Sequence, residues 1–144
     1  MKYFKPFEFV SRQVYSQYGT KSMRFIDKRI PEIMDFLRDE FEKDIIINDW
    51  HWKGNFQQRG LRDKTAKEYK PYSCHSFGRA VDFDVDKTNS LDVQKKILNE
   101  YADDLITMGV TGVEDSTSGW THITVSDVSA WGFKKVNGIF IIPR

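Results

Sequence analysis

Cysteine is almost missing from this 144-residue chain. Cys74 stands alone, so no intramolecular disulfide can form and a cysteine-rich zinc finger is excluded. Any metal site must therefore use histidine and carboxylates, and histidine is scarce too: His51, His75 and His122 are the only three. Net charge is also small. With 22 Lys+Arg against 21 Asp+Glu the formal balance is +1, which gives no overall field pointing to nucleic acid or an anionic membrane as partner. Apolar runs such as Ile45–Ile47 fall far short of the roughly 20 residues that cross a bilayer. The opening segment MKYFKPFEF lacks the apolar stretch and cleavage site of a secretory signal, so synthesis as a soluble cytoplasmic chain is expected. There is no internal repeat, low-complexity tract or Pro/Gly/Ser linker.

What remains is one domain's worth of sequence, 40% hydrophobic and 15% aromatic, enough to build a core without staples. Asp27 can cap a helix that accepts Pro31 in its first turn and shows Ile30, Ile33, Met34, Leu37 and Phe41 on one face. A second helix is predicted from Ser90 to a stop at Gly109, with Leu91, Ile97, Leu98, Tyr101 and Leu105 as its stripe. A weaker helix covers Phe9 to Tyr18. Strands are predicted at Asp44–Asn48, Ala80–Val85, Val110–Glu114, Trp120–Ser126 and Ile139–Ile142. The pattern predicts an α+β fold in which an antiparallel sheet is covered by helices on one side, with a helical preface over 1–43 and a sheet-containing core over 44–144. Residues 49–79 are long for a loop, and their aromatics argue for an ordered, functional one.

Two strands alternate in a way that suggests chemistry. Asp82 and Asp84 share one face of Ala80–Val85, opposite Val81, Phe83 and Val85, and Trp120, His122 and Thr124 share one face of the later strand. His75 lies in the loop just before Asp82. If the two strands are neighbours, His75, Asp82 and His122 converge: two imidazole nitrogens and one carboxylate oxygen, a set that suits Zn²⁺ with a fourth position left for water. A single histidine is more often a hydrogen-bonded core or surface residue, and a strand aspartate a cap. His51, between Trp50 and Trp52, fits no ligand spacing and reads as packing or cleft wall. Asp84 can orient a ligand histidine or face solvent. Cys74 reads as a small buried hydrophobe pointing away from the site.

The segment Ser73-Cys74-His75-Ser76-Phe77-Gly78-Arg79-Ala80-Val81-Asp82 resembles the zinc-ligand signature of the D-Ala-D-Ala carboxypeptidase and phage endolysin family, Ser-Xaa-His-Xaa-Xaa-Gly-Xaa-Ala-Xaa-Asp. Trp120-Thr121-His122 is similar to the family's third-ligand segment, Trp-Xaa-His. The resemblance implies the hedgehog/D-Ala-D-Ala peptidase fold, Zn²⁺ as cofactor on His75, Asp82 and His122, and a peptidoglycan stem or cross-link peptide as substrate. It also implies phage or prophage origin, action at the cell wall after release, and work as a monomer with neither nucleic-acid nor membrane partner. Gly60-Leu61-Arg62 looks like the family's arginine segment, giving Arg62 the role of facing the scissile carbonyl, with Arg59 as substitute. Ser73 and Trp120 would contact substrate.

The general base is where the chain departs from the family. Many members carry Glu-Xaa-Xaa-His, and position 119 here is glycine. Glu114 is the expected base and Asp115 the alternative; a tight turn over Ser116–Gly119 would bring Glu114 beside the metal. Two other readings stay open: a zinc-binding but catalytically silent module of the same fold, and a metal-free structural or nucleic-acid-contacting protein.

Overall fold

The computed structural model describes residues 1–115 and 119–144. The turn expected over 116–119 falls for the most part outside them.

Helix α1 spans Arg12–Tyr18, shorter than the predicted segment because Pro6 opens a separate 3-10 turn, Pro6–Glu8, and Ser11 then caps α1 by accepting a hydrogen bond from Val14 N. Helix α2, Arg29–Phe41, buries Ile30, Ile33, Met34, Leu37 and Phe41, the stripe read from the sequence. Asp27 anchors its start: the carboxylate accepts from Arg29 N at 3.0 Å and from the Arg29 guanidinium at 2.8 and 2.9 Å. The single helix predicted from Ser90 to Gly109 is two, α3 over Ser90–Asn99 and α4 over Ala102–Met108. Glu100 N and Tyr101 N both close on Lys96 O, which ends α3, and the break turns Tyr101 into edge contacts with Phe36 and Phe41. Leu91, predicted on the buried stripe, is exposed.

The strands are β1 (Ile45–Ile46), β2 (Ala80–Val85), β3 (Gly112–Glu114), β4 (Thr121–Thr124), β5 (Lys135–Val136) and β6 (Ile139–Ile142), in the sheet order β1-β2-β4-β3-β6-β5. Helices α2 and α3 pack on β2, and α3 also on β4. The face beneath them carries Val81, Phe83, Val85, Val113 and Ile123, all buried in one cluster that also takes in Phe9 and Val10 from before α1. The other face is the one on which Asp82 and His122 stand.

The sheet is mixed, which corrects the expectation of an antiparallel one: β6 runs parallel to β3, and every other neighbouring pair is antiparallel. The cause is β5, a strand the pattern reading did not include. After β4 the chain returns without a strand, lays down β5 at the edge and reverses through Asn137-Gly138, so β6 arrives in the direction of β3. Both turn residues have positive φ, 50° and 87°, as a two-residue primed hairpin turn requires.

The 49–79 segment is ordered, through polar anchoring to the chain before α1 and to Asn48. Leu61 N donates to Phe9 O at 2.8 Å, the Trp50 indole N–H to Val10 O at 2.8 Å, and Arg59 N to Asn48 Oδ1 at 2.9 Å. Of its aromatics, Trp50 is buried, whereas Trp52, Phe56, Tyr72 and Phe77 are exposed. Among the described residues, no helix is long and apolar enough to cross a membrane.

Candidate metal centre

The site begins with strand register. β2 pairs with β4 so that Asp82 lies directly opposite His122, and on an antiparallel ladder opposite side chains stand about 5 Å apart on one face. The third member comes from outside the sheet. Ser73 opens a 3-10 turn over Cys74–Phe77, its hydroxyl accepting from His75 N, and Gly78 closes it in the left-handed region at φ 65°. A Cβ on Gly78 would sit 1.9 Å from Phe25 O, so only glycine allows this return, and it aims His75 over the sheet.

The three side chains are buried and meet. His122 Nδ1 lies 2.7 Å from Asp82 Oδ1, His75 Nε2 lies 3.2 Å from the same oxygen, and the two imidazole nitrogens are 3.2 Å apart. One ligand atom from each falls within 4.8 Å of the others, so the group can hold a metal ion. The hydrogen bonds argue for a cation there. His75 Nδ1 is 2.9 Å from Gly60 O, and a carbonyl only accepts, so Nδ1 carries the proton and Nε2 turns its lone pair inward. That lone pair meets a carboxylate oxygen and a second imidazole nitrogen, an arrangement that is repulsive unless a proton or metal ion lies between them. Such outer hydrogen bonds on the far nitrogen are how proteins fix a ligand histidine.

Asp82 divides its oxygens: Oδ1 faces the histidines and Oδ2 faces Arg62 Nη2 at 3.4 Å. Burial alone would raise its carboxyl above the usual range, but the adjoining His122 and His75 outweigh that and hold it well below. It is therefore an anion at neutral pH, as a ligand must be.

The remaining sequence candidates divide clearly by position. Arg62 lies beside the centre, and its Nε is buried with no hydrogen-bond partner among the described residues. Arg59 is engaged elsewhere, bound to Asp84 at 2.8 Å and stacked 3.7 Å above the Phe56 ring. Asp84 accordingly serves Arg59, and the role of orienting a ligand histidine falls to the Gly60 carbonyl. Glu114, Ser73 and Trp120 line the same cavity as the three ligands, about 410 Å³ in volume. One step beyond the Gly112↔Thr124 and Val113↔Ile123 pairs, the register sets Glu114 beside His122 on the side away from Asp82. Asp115 is exposed, and its backbone N–H donates to Ile142 O at 2.9 Å. Glu114 is paired with Arg144 Nε at 3.6 Å, and the Arg144 guanidinium sits 4.2 Å above the Trp120 ring. His51 is stacked on Phe7 with centroids 3.9 Å apart, away from the centre. Cys74 is half-buried and lines the cavity, against the expectation that it points away.

Sequence reasoning did not include Gly60, which acts through its backbone, or Arg144. Gly60 left one trace, a glycine two residues before the candidate arginine. A comparison of the chain with protein-family models, with curated proteins and with solved structures finds no match.

Proposed function

We propose that the chain is a zinc-dependent peptidase of the hedgehog/D-Ala-D-Ala peptidase fold that hydrolyses an amide bond in peptidoglycan stem or cross-link peptides, working as a monomer in phage- or prophage-driven lysis. The observation that carries this reading is the convergence of His75 Nε2, Asp82 Oδ1 and His122 Nδ1, with the far nitrogen of His75 held by Gly60 O. Two neutral nitrogens and one anionic oxygen are the donor set of a catalytic zinc with an open position. Zinc held by His75, Asp82 and His122 would supply Lewis acidity to the carbonyl and the water. Glu114 then takes a proton from the attacking water as its oxygen bonds to the carbonyl carbon. It returns that proton to the amide nitrogen as the C–N bond breaks. Arg62 faces the oxygen on which negative charge grows, the position from which a guanidinium stabilises it. Trp120 and Ser73 line the wall against which the peptide lies.

One observation favours the second reading, a zinc-binding module without turnover: the Glu114–Arg144 pair. A guanidinium beside the carboxylate competes with an attacking water for the same oxygen. Elemental analysis together with mass spectrometry of peptidoglycan fragments separates the readings. The peptidase reading expects one zinc per chain, new amino termini in the fragments, and a Glu114→Gln variant that keeps zinc and loses turnover at least ~100-fold. Stoichiometric zinc with unchanged fragments supports the silent module. Absence of zinc overturns both.

A further inference from the structure

A separate cavity of about 490 Å³ is lined by α1, the 3-10 segment Gly19–Phe25, the 61–69 stretch and the turn over Cys74–Phe77, and by none of the three candidate metal ligands. Its size falls in the range of roughly 300–1,000 Å³ that holds a small molecule. Each of those segments brings an apolar side chain to it: Val14, Phe25, Leu61 and Phe77. This apolar surface stays partly open. Phe77 is 53% exposed, and Tyr18, which meets the Phe25 ring edge to face with centroids 4.9 Å apart, is 40% exposed. Covering it would gain free energy.

The charges on the same walls are unbalanced. Asp63 is the one acid there, and its carboxylate is already in use: Ser11 Oγ donates to Oδ2, while Thr65 N, at 2.8 Å, and Thr65 Oγ donate to Oδ1. Of the cations, Arg62 faces Asp82 at 3.4 Å. Arg24 and Lys64 are exposed and have no ion pair among the described residues. An unpaired surface cation is ordinary by itself. Two of them on the wall of an apolar cavity are a different matter, because surroundings of low polarity concentrate their field on an anion held there.

We infer that this cavity binds a small organic acid, with an aromatic or branched aliphatic body against Val14, Phe25, Leu61 and Phe77 and a carboxylate against Arg24 and Lys64. The body removes apolar surface from water, and the carboxylate accepts charged hydrogen bonds from a guanidinium and an ammonium group. A neutral molecule would leave the two cations unanswered, and a bare anion would leave the apolar walls open. The site goes beyond the peptidase reading and does not depend on it, since no group assigned to metal binding or proton transfer is needed to hold the acid. Arg62 lines both this cavity and the metal cavity, so a bound acid would stand beside a residue of the candidate centre.

The probe is hydrocinnamate, a phenyl ring on a short carboxylic acid chain, titrated into the full chain with and without zinc and followed by backbone amide NMR shifts. Saturable binding with a Kd of about 1 mM is expected in both forms, with shifts centred on Leu61, Lys64 and Phe77. Hydrocinnamamide keeps the body without the charge, and acetate keeps the charge without the body. Each is expected to bind at least ~10-fold more weakly. Binding that requires zinc is coordination to the metal and overturns the inference, as does equal binding of the amide or of acetate, or no binding of hydrocinnamate. Zinc binding and peptide hydrolysis are measured separately, so failure here leaves the peptidase reading standing. In a second measurement, Arg24→Glu and Lys64→Glu are each expected to weaken hydrocinnamate about fivefold. Lys95→Glu, the same change of charge on α3, is expected to leave it unchanged. All three side chains are exposed, so folding is retained, and the urea midpoint verifies it. Arg24 and Lys64 variants that bind the acid as the parent does, or a Lys95 variant that weakens it equally, overturn the assignment of the carboxylate.

Discussion

Replacing Gly60 by alanine tests how the centre is held, because it changes none of the three candidate ligand side chains. The new methyl would lie 2.2 Å from Phe9 O, 2.8 Å from Phe9 C and 2.9 Å from Phe9 Cα. All three are backbone atoms of a fully buried residue, so they cannot swing aside. Ordinary contact begins near 3.4 Å, so the loop must retreat by about 1.2 Å, the difference from 2.2 Å. That displacement breaks two hydrogen bonds, Leu61 N to Phe9 O at 2.8 Å and His75 Nδ1 to Gly60 O at 2.9 Å. Overpacking costs about 1–3 kcal/mol, and each lost hydrogen bond about 1 kcal/mol, for a sum near 3–5 kcal/mol. A domain with ~5–15 kcal/mol of stability survives that. Urea unfolding of the metal-free protein should show the loss. Competition with a chromogenic chelator should show zinc affinity reduced ~10–100-fold, because His75 loses the partner that fixes its tautomer. Gly19→Ala is the control: it has positive φ and open space, so it should cost ~1–2 kcal/mol through strain and leave zinc affinity unchanged. A Gly60→Ala protein that matches the parent in both unfolding and zinc affinity would refute the role given to the Gly60 carbonyl.

Asp27, held by its hydrogen bonds to Arg29, has a carboxyl pulled down to about 2 from an ordinary 3.8. A depressed carboxyl contributes stability that is complete above about pH 4 and lost as pH falls through 2. Nearly two pKa units are worth ~2.5 kcal/mol, which screening at the part-exposed Arg29 reduces to about 1 kcal/mol. Asp27→Asn should therefore be less stable than the parent by about that amount at pH 7, and the two urea curves should converge near pH 2. Asn137→Ala removes both a side-chain bond to Leu98 O at 2.7 Å and a residue suited to φ 50°, and should cost ~2 kcal/mol in the same assay. Asp115→Asn should leave peptide hydrolysis within about twofold of the parent, since the exposed carboxylate stands outside the cavity that Glu114 lines; a loss comparable to that of Glu114→Gln would reassign the base.

The parts of this structure that were legible in sequence are those written in side-chain identity and period. Asp82 announced itself because it stands between Val81 and Phe83 on a strand, His122 because it stands opposite Ile123 and Val125 in the alternation of its own, and Ile30, Ile33, Met34, Leu37 and Phe41 because their spacing is helical. Gly60 was not legible as a participant, since its contribution is a carbonyl, which every residue has; only the close approach to Phe9 shows why it must be glycine. Strand β5 was missed although Asn137-Gly138 is a strong hairpin signal, because a two-residue strand leaves no period to detect. That one omission reversed the direction expected of β6. The α3–α4 break was hidden for a related reason: Tyr101 and Leu105 both face the core, so the apolar stripe reads straight through a turn that the backbone makes. Arg62 was preferred to Arg59 only through the resemblance carried by Gly60-Leu61-Arg62, and the structure gives the two different partners, Asp82 and Asp84.

The same register that builds the core builds the candidate metal centre. β4 is flanked by β2 and β3, so His122 is presented between Asp82 on one strand and Glu114 on the other, while Ile123 one residue along packs into the cluster beneath the helices. A slip of one residue between β2 and β4 would carry Asp82 to the apolar face and Val81 to the polar one. It would bury an unpaired carboxylate beside Ile123, at a cost of several kcal/mol. The apolar contacts of Val81, Phe83 and Ile123 thus enforce the alignment that ligand geometry needs, without touching the ligands. What the sheet cannot supply is a donor approaching from above its own face. That is the work of the ordered 49–79 segment, which carries Gly60 and Arg62 and delivers His75 through a turn that only Gly78 permits.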